Sequence, residues 1–94
     1  MIKEQERIIR LLDALFPKVK IYLFGSRAKG TNRPASDIDL ALDAGRPLSF
    51  LEIAQARNVL ESLYIAEKID IVDMFSIPLA LKETILKEGK IWKS

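Results

Sequence analysis

The seven residues from Asp37 to Asp43, Asp-Ile-Asp-Leu-Ala-Leu-Asp, alternate acidic or small side chains with aliphatic ones without a break. A period of two is the signature of a β-strand with one buried face, because a helix would scatter these residues around its circumference. Ile38, Leu40 and Leu42 then face a core, while Asp37, Asp39, Ala41 and Asp43 share the other side. The rest of the chain has to supply a sheet for this strand and a cover for its apolar face.

The flanking segments do so. Ile8, Leu11, Leu12, Leu15 and Phe16 form an apolar stripe that predicts an amphipathic helix from about Lys3 to Phe16, stopped by Pro17. Val19 to Phe24 is β-branched and aromatic, a largely buried strand. Gly25-Ser26 follows, then a short stretch of helical propensity through Lys29 and a loop from Gly30 to Ser36. Beyond the alternating strand come a Gly45-Arg46-Pro47 turn and a capping box, Ser49 with Glu52, opening a helix that runs to about Tyr64. Ile53, Ala56, Leu60 and Leu63 are its buried stripe. Ile69 to Phe75 reads as a third strand; Ser76 and Pro78 start a last helix and Gly89 ends it. The order α-β-α-β-α-β-α, with the second strand antiparallel to its neighbour, predicts an α/β (α+β) fold: one domain over residues 1–94, a small mixed sheet flanked by helices.

Composition narrows the chemistry. The 94 residues include no cysteine and no histidine, so thiolate nucleophiles, imidazole bases and Cys- or His-ligated zinc are excluded. Acid–base or metal chemistry must run on carboxylates, Lys, Tyr or hydroxyls. The net charge of +2 comes from 15 basic and 13 acidic side chains, scattered rather than grouped, so nucleic acid is not expected as a partner. The charged start is unlike a signal peptide, and no apolar run approaches the roughly 20 residues of a membrane span, so a cytoplasmic protein is expected.

Asp37 and Asp39 project from one face with Cα atoms roughly 6–7 Å apart. A solvated strand face would be the plain explanation, but Asp is among the residues most depleted in strands, and two like charges repel unless a cation lies between them. Mg²⁺, commonly held by one or two carboxylates plus substrate phosphates, resolves that conflict. Gly25-Ser26 supplies the complement: glycine lets the backbone approach a ligand, and the following helical turn aims N–H groups at an anion. Ser26 adds a hydroxyl, and Arg27 or Lys29 could add charge. In the third strand Asp70 and Asp73 lie on opposite faces, so one of them can join the cluster. Asp70 is favoured, because Asp73 shares a face with Ile69 and Ile71, which looks like the core side, and is expected at a frayed strand end. A third carboxylate would complete a second metal site or take the proton of an attacking hydroxyl.

Residues Gly25 to Leu40, Gly-Ser-Arg-Ala-Lys-Gly-Thr-Asn-Arg-Pro-Ala-Ser-Asp-Ile-Asp-Leu, resemble the signature of the DNA polymerase β-like nucleotidyltransferase superfamily, and the Ile-Asp-Ile-Val-Asp strand with the short chain resembles its minimal (MNT) branch. The resemblance implies a nucleotidyltransferase fold. It implies that Gly25 and Ser26, with Arg27 and Ser36, bind the nucleotide. Asp37 and Asp39 would hold two Mg²⁺ ions, with Asp70 as third carboxylate and metal neighbour near the attacking hydroxyl. The reaction it implies is attack on the α-phosphorus of ATP with pyrophosphate leaving. MNT proteins are often antitoxins of HEPN toxins and some attach AMP to a toxin tyrosine, so a HEPN-family protein is the expected partner. No acceptor-holding domain is expected after the catalytic one, and a partner chain is expected to bring that surface. Two other readings remain: a non-catalytic antitoxin that masks its partner, and a nucleotidyltransferase acting on a nucleic-acid end or a small molecule. Packing is expected for Tyr22 and Tyr64, and Trp92 lies in a terminal segment that fits either a docked tail or a partner contact.

Overall fold

The structure, a computed structural model, describes residues 4–94. Among the described residues four helices and four strands alternate: α1 (Gln5–Leu15), β1 (Lys20–Phe24), α2 (Ser26–Lys29), β2 (Ile38–Asp43), α3 (Phe50–Glu61), β3 (Ile69–Asp73), α4 (Leu79–Glu88) and β4 (Lys90–Lys93). The strands form one mixed sheet in the order β3-β2-β1-β4. β2 runs antiparallel to β1, as expected, and parallel to β3.

The alternation in β2 separates two cores. On one face Ile38, Leu40 and Leu42 join Ile21, Leu23 and Ile71 beneath α1 and α3, which contribute Ile8, Leu12, Ala56 and Leu60. On the other face Ala41 packs with Met74 and with Ile85 of α4, flanked by the half-buried Tyr22, Phe24, Val72 and Leu81. Aspartates occupy the ends of that second face, where α4 leaves the sheet uncovered. The capping box at α3 is formed in full, with Ser49 Oγ accepting from Glu52 N–H and the Glu52 carboxylate accepting from Ser49 N–H.

Several expectations change. The expected start of α1 at Lys3 lies outside the described residues, and at its other end Leu15 is 37% exposed while Phe16, past the helix, is buried. α3 stops at Glu61 rather than Tyr64, and Tyr64 stands 94% exposed with φ 53°, so it does not pack. The segment after α4 forms β4, which pairs antiparallel with β1 and half-buries Trp92 against the main core. Gly89 permits this, because a Cβ there would lie 2.5 Å from the Ile85 carbonyl oxygen and 3.1 Å from that of Leu23. Its φ of −70° carries the chain straight into the strand instead of closing the helix with a left-handed residue. Lys93 fastens the end, donating to the Val19 carbonyl at 3.0 Å with its ammonium 3.3 Å from Asp13. Among the described residues no helix is long and apolar enough to cross a membrane.

Candidate active site

The site gathers where β1 ends and β2 and β3 begin. Gly25 leaves β1 with φ 77° and ψ −154°, a region essentially closed to side chains. A Cβ on Gly25 would sit 2.5 Å from Oδ2 of Asp39. Glycine therefore does two things here: it makes the turn and it lets the backbone lie against a carboxylate. Register explains the contact, since Phe24 and Asp39 are antiparallel partners. Ser26 then opens α2, a single turn from Ser26 to Lys29. One turn carries little dipole, so what it offers an anion is the unpaired N–H groups of its first residues and the Ser26 hydroxyl.

The loop from 30 to 37 aims the aspartates, and Arg27 holds it. Arg27 Nε and Nη2 donate to the Ser36 carbonyl at 3.1 and 2.9 Å, and Nη2 also donates to the Pro34 carbonyl at 3.1 Å. The same guanidinium lies 3.7 Å from Glu67 and its side chain is only 11% exposed. Ser36 Oγ accepts from the Arg33 N–H at 2.9 Å. The structure shows Arg27 and Ser36 building the loop, a role beside the nucleotide contact that the resemblance implies for them. A bidentate arginine bracing loop carbonyls has no one-residue signature, which is why composition and spacing missed this role.

Asp37 is exposed and Asp39 half-buried on the same strand face. Asp70 is the parallel register partner of Asp39 and shares its face with Val72 and Met74. Burial first, then the carboxylates of Asp70 and Asp37, push the Asp39 carboxyl above its ordinary value. Asp70 has a counter-charge of its own: Arg57 Nη2, donating to the Ile71 carbonyl at 3.3 Å, lies 3.8 Å from Asp70 Oδ1. Asp43 belongs to the opposite end of β2, where it accepts from the Gly45 N–H at 2.9 Å.

Asp73 departs from expectation. It is not at a frayed end but buried on the core face, 5% exposed. Its carboxylate accepts from the Leu48 N–H at 2.8 Å, the Phe75 N–H at 3.0 Å and the Ser76 hydroxyl at 2.9 Å. It ties the β2–α3 connection to the end of β3. The signals were Ser76 three residues on and the shared face with Ile69 and Ile71.

Among the described residues no group of three or more acidic side chains is drawn together closely enough to hold a metal by itself. The donors present nevertheless suit a hard divalent cation that completes its shell with phosphate oxygens and water. Asp39 is pressed against two like charges, and a cation relieves that repulsion.

The polymerase beta nucleotidyltransferase family matches residues 6–94. The protein adenylyltransferase MntA of Shewanella oneidensis is 34% identical over 90 residues, covering 94% of this chain; the chain spans 64% of that relative's length. A crystal structure of a toxin–antitoxin pair with AMP-PNP contains a chain similar to this one at a TM-score of 0.81 and 34% identity, over 94% of this chain and 71% of that one. The complex of a tri-AMPylated Shewanella oneidensis HEPN toxin with its MNT antitoxin gives a TM-score of 0.74 at 30% identity, over 95% of this chain and 68% of the other.

Proposed function

The chain belongs to the polymerase beta nucleotidyltransferase family, and from that premise we propose that it transfers AMP from Mg²⁺-bound ATP to a tyrosine hydroxyl of a HEPN-type toxin, acting as that toxin's antitoxin. The observation that carries the reading is the close seating of Gly25 on the Asp39 carboxylate, with Asp70 opposite it in register. A phosphate-accepting turn and an acidic pair on separate strands are thereby brought to one place. The similarity to chains from an AMP-PNP-bound toxin–antitoxin pair and an AMPylated HEPN toxin complex supports both nucleotide and partner.

In this reading the backbone N–H groups at Gly25 and Ser26 receive the β- and γ-phosphates. Asp37 and Asp39 would hold the metal, with Asp70 beside Asp39 in register. Magnesium, when bound, would supply charge stabilisation on the phosphate oxygens. The tyrosine oxygen bonds to the α-phosphorus, the bond from that phosphorus to the α–β bridging oxygen breaks, and pyrophosphate leaves. Asp70, beside Asp39 on the acceptor side, takes the tyrosine proton. Arg27 and Ser36 keep the loop in place so that Asp37 and Asp39 stay aligned.

Neutralisation of the toxin distinguishes this from simple masking. Asp37→Asn with Asp39→Asn should still bind the HEPN protein yet lose AMP transfer by about a hundredfold or more, and neutralisation with it. Neutralisation that survives the double substitution at full strength would establish a masking antitoxin instead.

A further inference from the structure

The sheet order sets the parts of the reaction in a row. Gly25 and Ser26 stand at the end of β1, Asp37 and Asp39 at the start of β2, and Asp70 at the start of β3, the edge strand. In an in-line displacement the attacking and leaving oxygens lie on opposite sides of the phosphorus. With the leaving pyrophosphate over β1, the attacking hydroxyl has to arrive from beyond β3.

An open groove of about 580 Å³ lies there, between α3, the 62–68 connection and β3. Arg57 and Lys68 give it positive charge, Glu61, Glu67 and Asp70 negative charge, and Leu60, Ile65 and Ile69 an apolar lining. The volume falls within the ~300–1,000 Å³ of ligand sites, enough for a few residues of chain rather than a domain. The strand beside it can pair. The Lys68 carbonyl accepts from Ile38 N–H at 2.8 Å and Met74 N–H donates to the Leu42 carbonyl at 2.9 Å, so the even-numbered residues of this strand bond inward to β2. Alternation then turns the backbone groups of Ile69 and Ile71 toward the open edge. One of them, the Ile71 carbonyl, is met by Arg57.

We propose that this groove docks the acceptor: an extended polypeptide segment that carries the hydroxyl-bearing residue, runs along the β3 edge with an apolar side chain over Ile65 and Ile69, and meets Arg57 with an acidic group. The inference rests on the adenylyl-transfer reading above. Edge strands commonly bind extended segments in this way, with backbone hydrogen bonds for affinity and side-chain contacts for selectivity. The Arg57–Asp70 pair is 3.8 Å long with both side chains about half exposed, a contact too weak to resist a competing acid. When the segment's acid takes up Arg57, the Asp70 carboxylate is left facing the incoming hydroxyl.

The absence of cysteine makes a direct test available. Ala66 is exposed and lines the groove, so Ala66→Cys carries a single benzophenone probe into it. In the complex with its HEPN partner that probe should crosslink a peptide within a few residues of the acceptor tyrosine. The same probe at Leu86→Cys, on the exposed side of α4, should not. The groove-filling Ala66→Trp should raise KM for the HEPN acceptor by about tenfold or more while kcat and ATP affinity stay within about twofold. A complex that forms without any crosslink from position 66 near that tyrosine, or an unchanged acceptor KM in Ala66→Trp, overturns the proposal. Crosslinking at position 66 with no AMP transfer by the unmodified protein would uphold the docking site and refute the catalytic reading.

Discussion

Replacing Gly25 by alanine isolates the feature on which the site depends. The added Cβ would stand 2.5 Å from Asp39 Oδ2, and ordinary contact needs at least 3.4 Å, so the carboxylate must retreat by roughly 0.9 Å. Displacements of about 1 Å at reacting groups cost about a hundredfold in rate. The backbone adds its own penalty, because φ 77° with ψ −154° costs a side-chain-bearing residue of order 1–3 kcal/mol. For a domain of this size that is a Tm fall of roughly 5–20 °C. Gly25→Ala should therefore remain folded well below its Tm, yet transfer AMP about a hundredfold more slowly and bind Mn²⁺ with nucleotide more weakly. Gly30→Ala is the control: its φ is also positive, at 75°, but a Cβ there meets nothing within 4 Å. It should lose stability, by about 1–2 kcal/mol, and keep its rate. The assay is initial-rate AMP transfer alongside thermal melts and metal titrations. Equal rates in Gly25→Ala and the unmodified chain, or an equally large rate loss in Gly30→Ala, would refute the reasoning.

Asp73→Ala should destabilise the fold by about 3 kcal/mol, seen in denaturant melts, because it strips a buried carboxylate from the Leu48 and Phe75 N–H groups and the Ser76 hydroxyl. The folded fraction should transfer AMP normally. Arg27→Ala should slow AMP transfer by about tenfold through a loosened loop, and Arg27→Lys should not restore it, since one ammonium cannot reproduce the guanidinium's simultaneous hold on the Pro34 and Ser36 carbonyls. Glu52 is held down to about 2, against an ordinary 4.5, chiefly by its hydrogen bond from Arg46 and then by the Ser49 N–H. A depressed carboxylate contributes stability above its unfolded value and loses it as pH falls, here between about 4.5 and 2. Glu52→Gln should flatten the acid limb of a stability–pH curve over that window, and an unchanged limb would remove Glu52 from the account.

The legible parts were those where one local rule decides. Asp37 to Asp43 declared itself by period and is a strand from Ile38 on, and the Ser49–Glu52 box declared itself by spacing and stands as read. Gly25 was legible as a turn, but its fit against Asp39 depends on β1–β2 register, which sequence spacing does not supply. β4 escaped because four residues, Lys90 to Lys93, carry too short a pattern to stand out and gain their place only by pairing with β1. The face assignment for Asp70 and Asp73 followed from alternation, since Asp70 lies beside Asp39 in register. That a carboxylate would be buried at Asp73 did not, because beside the nearby Phe75 and Ser76 donors it needs the Leu48 N–H, which only the fold brings to it. Arg27 shows the same limit: the Pro34 and Ser36 carbonyls it braces are brought to it by the fold of the loop, which spacing alone does not supply.

The central claim is adenylyl transfer from this site, and the position of the label decides it most directly. The chain is incubated with Mg²⁺, its HEPN partner and ATP labelled at either the α- or the γ-phosphate, with Asp39→Asn run in parallel. The account predicts α-label on a tyrosine of the partner, no γ-label, and near-complete loss of transfer in Asp39→Asn. Transfer of γ-label, or α-label that persists undiminished in Asp39→Asn, would contradict it.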